Sequence, residues 1–423
     1  MTSLSLAQLP IGTSRTPPPA PSVAARPGHL VDSHGRVIRD LRLSVTDRCN
    51  FRCIYCMDPD FRYMPKQELL TLEEYVALVR VCVGLGITKV RITGGEPTLY
   101  PQLDELIDQL ARLDIPDLSM TTNGSLVTRA KALRWKSLGL KRLTLSLDSL
   151  RPERVQAITR AKVGPETVIE AIHIAHEAGL GPVKVNAVIM RGVNDDEVAD
   201  MADFAREHGV DYRLIEFMPL DSEHGWSMDR VFSAREMLER IEDRHTLIRE
   251  EDDDPSSTSM NFRFAISDSG TGVPPVIDRS GSMPERSMDL GAQSASHGRP
   301  RRGLRPAVTG ETPVPLQTPV PLKSQGRIGL IAPVTRPFCG ACSRLRITAD
   351  GKVRPCLFSH EEWDIRANLR DDPRAEPGAN GTNVVDARLR QFLIDSMWTK
   401  QAGHGIGSKS FHQPQRTMSA IGG

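Results

Sequence analysis

From residue 41 to residue 217 the chain alternates short β-rich runs with helix-patterned segments, and that alternation excludes most folds. The strand candidates are residues 41–46, 88–93, 117–122, 142–147, 183–190 and 211–217. In "TLEEYVALVRVCVGLG" between the first two, Thr71 is placed as an N-cap, Glu74 as its capping-box partner and Gly84 or Gly86 as the stop. "DDEVADMADFAREHG" ends on Gly209, which suits a helix C-terminus. Strands separated by helices at this period build βαβ units and a parallel sheet. Six units predict an α/β fold, an incomplete (βα)6 TIM-type barrel rather than a closed eight-unit one. Function is then expected on the loops after the strands' C-terminal ends.

The 423 residues leave room for more than this barrel, which is placed at residues 33–250. With 54 basic and 53 acidic residues the net charge is +1, so no global field favours nucleic acid or a membrane. No apolar run approaches a membrane span and no secretory core opens the chain, so a cytoplasmic location is expected. Residues 1–32 read as a disordered extension, because "TPPPAPSVAARP" is too proline-rich for an amphipathic targeting helix. Residues 265–337 contain no Phe, Tyr or Trp, and residues 255–325 are read as a disordered insertion. Residues 326–400 read as a smaller C-terminal α+β domain, with "RLRIT" and "KVRPC" flanking the turn signal "ADG". A polar insert at 371–383 interrupts it, and residues 401–423 form a tail ending in Gly-Gly.

Seven cysteines, an odd number in a long chain without a secretory signal, argue against a disulfide framework. Six of them fall into two triplets. Cys49, Cys53 and Cys56 follow the first strand, whereas Cys339, Cys342 and Cys356 lie near the C-terminus. A structural zinc site is closed by four protein ligands, while three thiolates leave one position of a metal centre open. The seventh, Cys82, lies mid-helix between Val81 and Val83 and is expected to be a buried structural thiol. At the end of the second strand, "RITGGEPTL" carries a Gly-Gly pair whose backbone can lie against a ligand.

"CNFRCIYC" together with "GGEP" resembles the radical S-adenosylmethionine superfamily. The wider set resembles the GTP 3′,8-cyclase family of molybdenum cofactor biosynthesis. It comprises "LRLSVTDRCNFRCIYCM", "VRITGGEPTL", "TTNG", "LSLDSL", "VKVNAV", "IEFMPL", "GLIAPVTRPFCGACSRLRITADGKVRPCLF" and the terminal "IGG". The resemblance covers residues 33–250, 326–370 and the tail. It implies two [4Fe–4S] clusters and S-adenosylmethionine as cofactors. Cys49, Cys53 and Cys56 would hold the cluster that cleaves S-adenosylmethionine, whose amino and carboxylate groups take the open iron. Tyr55, Gly95, Ser146 and Met218 would bind that cofactor. Cys339, Cys342 and Cys356 would hold a second cluster whose open iron takes guanine. Arg42, Arg91, Thr121, Lys184, Arg344, Leu345 and Arg346 would hold the rest of GTP, and Gly422 and Gly423 would act on the radical steps. The implied partners are GTP, an electron donor of the reduced flavodoxin or ferredoxin type, and a downstream cyclic pyranopterin monophosphate synthase; a homodimer is allowed, and neither nucleic acid nor membrane is called for.

The cationic share of that set suits the substrate, because GTP carries about four negative charges and arginine forks match phosphate oxygens. Arg344 and Arg346 alternate on one strand and so share a face. Two other functions fit parts of the pattern: a peptide-modifying maturase with an auxiliary cluster, or a non-catalytic zinc-stabilised scaffold. "RLR" beside the second triplet and the terminal "IGG" speak for the nucleotide enzyme. Glu96 is expected to orient the cofactor's amino group. His173 and His176 read as helix-surface residues, and His404 as a loop residue without an evident partner.

Overall fold

Leu41, Leu43, Val90 and Ile92 are almost fully buried, while Arg42 and Arg91 between them are only half-buried. That period of two gives each strand an apolar face under the helices and a polar face towards the barrel interior. The structure, a computed structural model, describes residues 16–21, 25–26, 28–251, 254–265, 326–370, 384–409 and 411–422. Six parallel strands form as expected: β1 (Asp40–Ser44), β2 (Lys89–Thr93), β3 (Asp117–Thr122), β4 (Arg142–Ser146), β5 (Lys184–Ile189) and β6 (Asp211–Glu216). Each pairs in parallel with the next, and helices such as Leu72–Gly84 and Leu103–Ala111 cross between them. Thr71 and Glu74 form the capping box of Leu72–Gly84, and Val198–His208 stops on left-handed Gly209. Cys82 is fully buried in the core.

Two more parallel strands join this sheet. β7 (Arg327–Ile331) lies along β6, and β8 (Arg344–Ile347) lies along β1. Antiparallel Met260–Phe264 and Leu247–Arg249 extend the β7 side, and Lys352–Arg354 and Trp363–Asp364 extend the β8 side. The expected hairpin across "ADG" is therefore β8 with Lys352–Arg354. The expected boundary at 326 is not one in space. The described residues of 1–264 and 324–423 form one compact unit, and the later strands belong to the same sheet as the earlier ones.

Two further limits move. The insertion expected from residue 255 begins later, because Phe262 and Phe264 are buried and place Met260–Phe264 in the sheet. The N-terminal extension does not run to residue 32. Leu30 is fully buried, and His29–Val31 pairs with Val37–Ile38. Of residues 265–323 only Ala265 is described, so most of the expected insertion lies outside the described residues, as does the expected insert at 371–383. No described helix is long and apolar enough to cross a membrane.

Candidate active site

The loop carrying Cys49, Cys53 and Cys56 leaves the C-terminal end of β1 and is tied down by backbone bonds. Arg52 N donates to Thr159 O at 2.8 Å, Ile54 N to Ile158 O at 3.0 Å and Cys56 N to Cys53 O at 2.9 Å. The "GGEP" turn packs directly against it, with Gly95 N donating to Thr46 O at 2.8 Å and Glu96 N to Arg48 O at 2.7 Å. A Cβ on Gly95 would stand 2.3 Å from Arg48 O, so only glycine permits this approach. Gly95 is thus needed first for loop-on-loop packing, and its N–H is already taken.

The buried Glu96 carboxylate accepts from Asn123 N at 2.8 Å, Thr122 Oγ1 at 2.7 Å and Thr98 Oγ1 at 2.6 Å. It joins the "GGEP" and "TTNG" turns. Tyr55 Oη donates to Asp148 Oδ2 at 2.7 Å, and burial raises the Asp148 carboxyl to about 6. Burial also pushes Cys49 up to about 11 and, with the neighbouring thiols and Asp148, raises Cys53 and Cys56 further. Thiols in such surroundings ionise against a bound positive centre, so the donor set fits a thiolate-held cluster. Among the described residues no group of three or more His, Cys, Asp and Glu meets the geometry for a single ion. A cubane cluster makes a different demand, since each thiolate takes a different iron.

All six triplet cysteines line one cavity of about 290 Å³ that runs through the barrel. Tyr55, Gly95, Ser146 and Met218 line it near the first triplet, and Arg42, Arg91, Thr121, Arg344 and Arg346 line it further in. Burial and the neighbouring guanidiniums of Arg91, Arg346 and Arg344 press Arg42 well below the usual arginine range. Burial with Arg142 and Arg213 lowers Arg91 to about 9, and burial with Arg344 lowers Arg346 to about 10. Arginine keeps its proton, so these shifts measure unfavourable crowding of positive charge, which a polyanion relieves. The rim pairs contrast with this: Arg142 and Arg327 are forked onto Asp117 and Asp211. Lys184 lines an adjoining cavity of about 340 Å³ at the N-terminal mouth, shared with Arg42, Arg91, Arg213 and Arg344.

The second triplet lies at that N-terminal end. Arg344 pairs with Asp40, the first residue of β1, and Ser343 O accepts from Asp40 N at 3.1 Å. β1 has five residues, so at about 3.3 Å per residue its ends are roughly 13 Å apart. Lys184 and Arg344 therefore stand at the N-terminal level and Arg42, Arg91 and Arg346 mid-strand, a placement the sequence did not fix because a period of two sets a side chain's face and not its level. The Leu345 side chain is fully buried in the core, on the strand face opposite Arg344 and Arg346.

Around the second triplet, burial raises Cys339, whereas Arg344 and Lys400 outweigh burial at Cys342 and hold it at about 7. Arg36 reaches from the N-terminal segment, donating to Cys339 O at 2.7 Å and Gln401 O at 2.8 Å. His404 has partners after all: its Nε2 bonds Pro333 O at 2.8 Å, and its Nδ1 accepts from Ile406 N at 3.0 Å. His173 is exposed and stacks on His208, as a surface residue can.

The tail returns to the C-terminal mouth. Half-buried Arg416 pairs with Asp350 and Glu362, and the turn Met418–Ile421 brings Ser419 N to Cys56 O at 3.4 Å. Arg346 Nη1 donates to Gly422 O at 2.6 Å. Gly422 has φ +79, and a Cβ there would meet Ser44 Cβ at 3.0 Å and Thr93 Cγ2 at 3.1 Å. Gly423 lies outside the described residues. Sequence reasoning missed Asn186, Arg213 and Lys400, which line the same cavity. Asn186 stands in the quoted "VKVNAV", two residues after Lys184 and so on its face, which was a usable signal. Asn186 Oδ1 and Thr121 Oγ1 are buried without a partner among the described residues, as expected of groups facing a ligand.

Two family models match the chain: the Radical SAM superfamily over residues 43–205, and Molybdenum Cofactor Synthesis C over residues 320–406. A Streptomyces coelicolor protein named GTP 3′,8-cyclase is 39% identical over 397 residues, covering 93% of this chain and 96% of its own length. GTP 3′,8-cyclase 2 of Mycobacterium tuberculosis is 38% identical over 407 residues, covering 95% of this chain and 94% of that protein.

Proposed function

Because this chain belongs to the GTP 3′,8-cyclase family of radical S-adenosylmethionine enzymes, we propose that it joins the ribose C3′ of GTP to guanine C8. The product would be 3′,8-cyclo-7,8-dihydro-GTP, made in the first step of molybdenum cofactor biosynthesis. The observation that carries this reading is one cavity with a thiol triplet at each end and buried, mutually repelling guanidiniums between them. Cys49, Cys53 and Cys56 hold one [4Fe–4S] cluster, with S-adenosylmethionine beside Tyr55, Gly95, Ser146 and Met218. When bound, that pair supplies the carbon radical that takes hydrogen from C3′. Cys339, Cys342 and Cys356 hold a second cluster at the guanine end.

The chain's own residues bind, orient and exclude water. Arg42, Arg91, Lys184, Arg344 and Arg346 neutralise the triphosphate, and the unpartnered Thr121 Oγ1 turns to the substrate. Leu147, Val155, Val168, Val188 and Ile215 give the cavity an apolar wall that keeps water from the reacting carbons. Gly422, held by Arg346, and Gly423 beyond it act at the substrate from the tail. A reduced flavodoxin or ferredoxin is the electron source, and a cyclic pyranopterin monophosphate synthase takes the product. The test is anaerobic incubation of the iron-loaded protein with GTP, S-adenosylmethionine and a reductant, followed by mass analysis. A cyclised GTP is expected; cleavage of S-adenosylmethionine with GTP recovered unchanged, whatever the reductant, overturns the substrate assignment.

A further inference from the structure

Lys400 is 3% exposed and lines the cavity beside Cys339, Cys342 and Cys356. Its ammonium donates to Arg344 O at 2.8 Å and to Pro355 O, carbonyls two residues beyond Cys342 and one before Cys356. Among the described residues no carboxylate pairs with it. Burial disfavours its charge, the Cys342 and Cys356 sulfurs favour its protonated form, and Arg36 and Arg344 oppose it. A buried ammonium without an anion is costly, and two carbonyl dipoles compensate only part of that cost. The sequence has the cation where an anionic group must sit.

We infer that Lys400 is the built-in counter-charge of the second cluster and sets its reduction potential. This rests on the reading that the second triplet holds a [4Fe–4S] cluster. Three thiolates make such a centre anionic, and the electron added on reduction makes it more so. A fixed cation therefore stabilises the reduced form more than the oxidised one and raises the potential. The two carbonyl bonds place the charge by tying together the stretches that carry Cys342 and Cys356. At the other triplet, among the described residues, Asp148 and Glu96 face the thiols and Arg52 acts on Cys49 alone.

The test is an anaerobic redox titration of the iron-loaded full chain, followed by electron paramagnetic resonance, with iron counted in each sample. Lys400→Gln keeps amide donors for the two carbonyls and removes the charge; Lys400→Met removes both, and Lys400→Arg keeps a cation. Both neutral variants should lower the reduced-to-oxidised ratio of the second cluster about tenfold at fixed potential, or about 59 mV for one electron. The first cluster should not move, and Lys400→Arg should recover most of the shift. Loading of the second cluster in Lys400→Arg but in neither neutral variant also supports the charge role. A Lys400→Gln protein with both clusters at wild-type potentials overturns the inference and leaves Lys400 as a structural tie. A wild-type protein that binds only one cluster instead removes the reading beneath it, and iron counting separates those two failures.

Discussion

The two cysteine triplets use the same three donors in opposite electrical surroundings. Cys49, Cys53 and Cys56 sit in eight residues of one loop, where burial and acidic neighbours keep the thiols protonated. Cys339, Cys342 and Cys356 are gathered from two stretches either side of β8, and Arg344 and Lys400 pull Cys342 down to about 7. The first site is compact and local. The second is assembled by tertiary contacts and surrounded by positive charge, which suits the nucleotide-binding role proposed for it. Equal ligand sets therefore do not imply equal tasks.

The strongest way to break this comparison is to remove one thiol from each end. Cys53→Ser should abolish cleavage of S-adenosylmethionine. Cys356→Ser should keep some uncoupled cleavage while losing cyclised product, as followed by chromatography of 5′-deoxyadenosine and of the nucleotide. Identical losses at both ends would erase the division of labour. Next in size is the tail. Deleting Gly422 and Gly423, or making Gly422→Ala, should nearly stop cyclised product while iron content and GTP binding persist, since the Cβ would press on Ser44 and Thr93. A deletion variant that cyclises GTP at the wild-type rate would return the tail to a passive role.

Smaller effects sharpen the cationic side. Arg91→Met removes a charge-assisted contact of about 1.5–3 kcal/mol and should weaken GTP binding roughly 10- to 150-fold by calorimetry. Guanosine, which has no phosphates, should lose far less. Lys184 is held at about 7 by burial and by Arg213 and Arg142, so free protein loses that proton as pH rises past it. A bound triphosphate favours the protonated form, and binding then takes up a proton. GTP affinity should fall up to about tenfold per pH unit between about pH 7 and about pH 9, and Lys184→Met should flatten that slope. A flat wild-type profile would show that Lys184 does not meet the triphosphate. The smallest effect is expected from replacing residues 268–322 with a short Gly/Ser linker, because loop closure costs grow only logarithmically with length. Activity should stay within a few-fold, and loss of either cluster in that variant would show that the segment packs on the barrel.

Local chemistry was legible from the residues alone. The six strands, the Thr71–Glu74 capping box, the Gly209 stop and the buried Cys82 depend on contacts within a few residues or on a simple period. The cysteine triplets could be named for the same reason, since their spacing is their chemistry, whereas the arginines were picked out of 54 basic residues only by the family resemblance. What could not be read was the assembly between distant segments. Met260–Phe264 lies at the edge of a low-complexity stretch and becomes a strand by pairing between β7 and Leu247–Arg249. Lys400 is one lysine among many until the fold buries it beside Cys342 and Cys356.

By itself, then, the sequence determined the barrel's repeating unit, the inward faces of its strands and the kind of ligands its loops can hold. Only the tertiary structure decided that the two triplets stand at opposite ends of one cavity, with the arginines between them. That arrangement depends on Ser343 meeting Asp40 across 303 residues of chain. Side-chain alternation carries no record of such a pairing, because a strand's period is blind to which partner supplies its hydrogen bonds and at what level along its length.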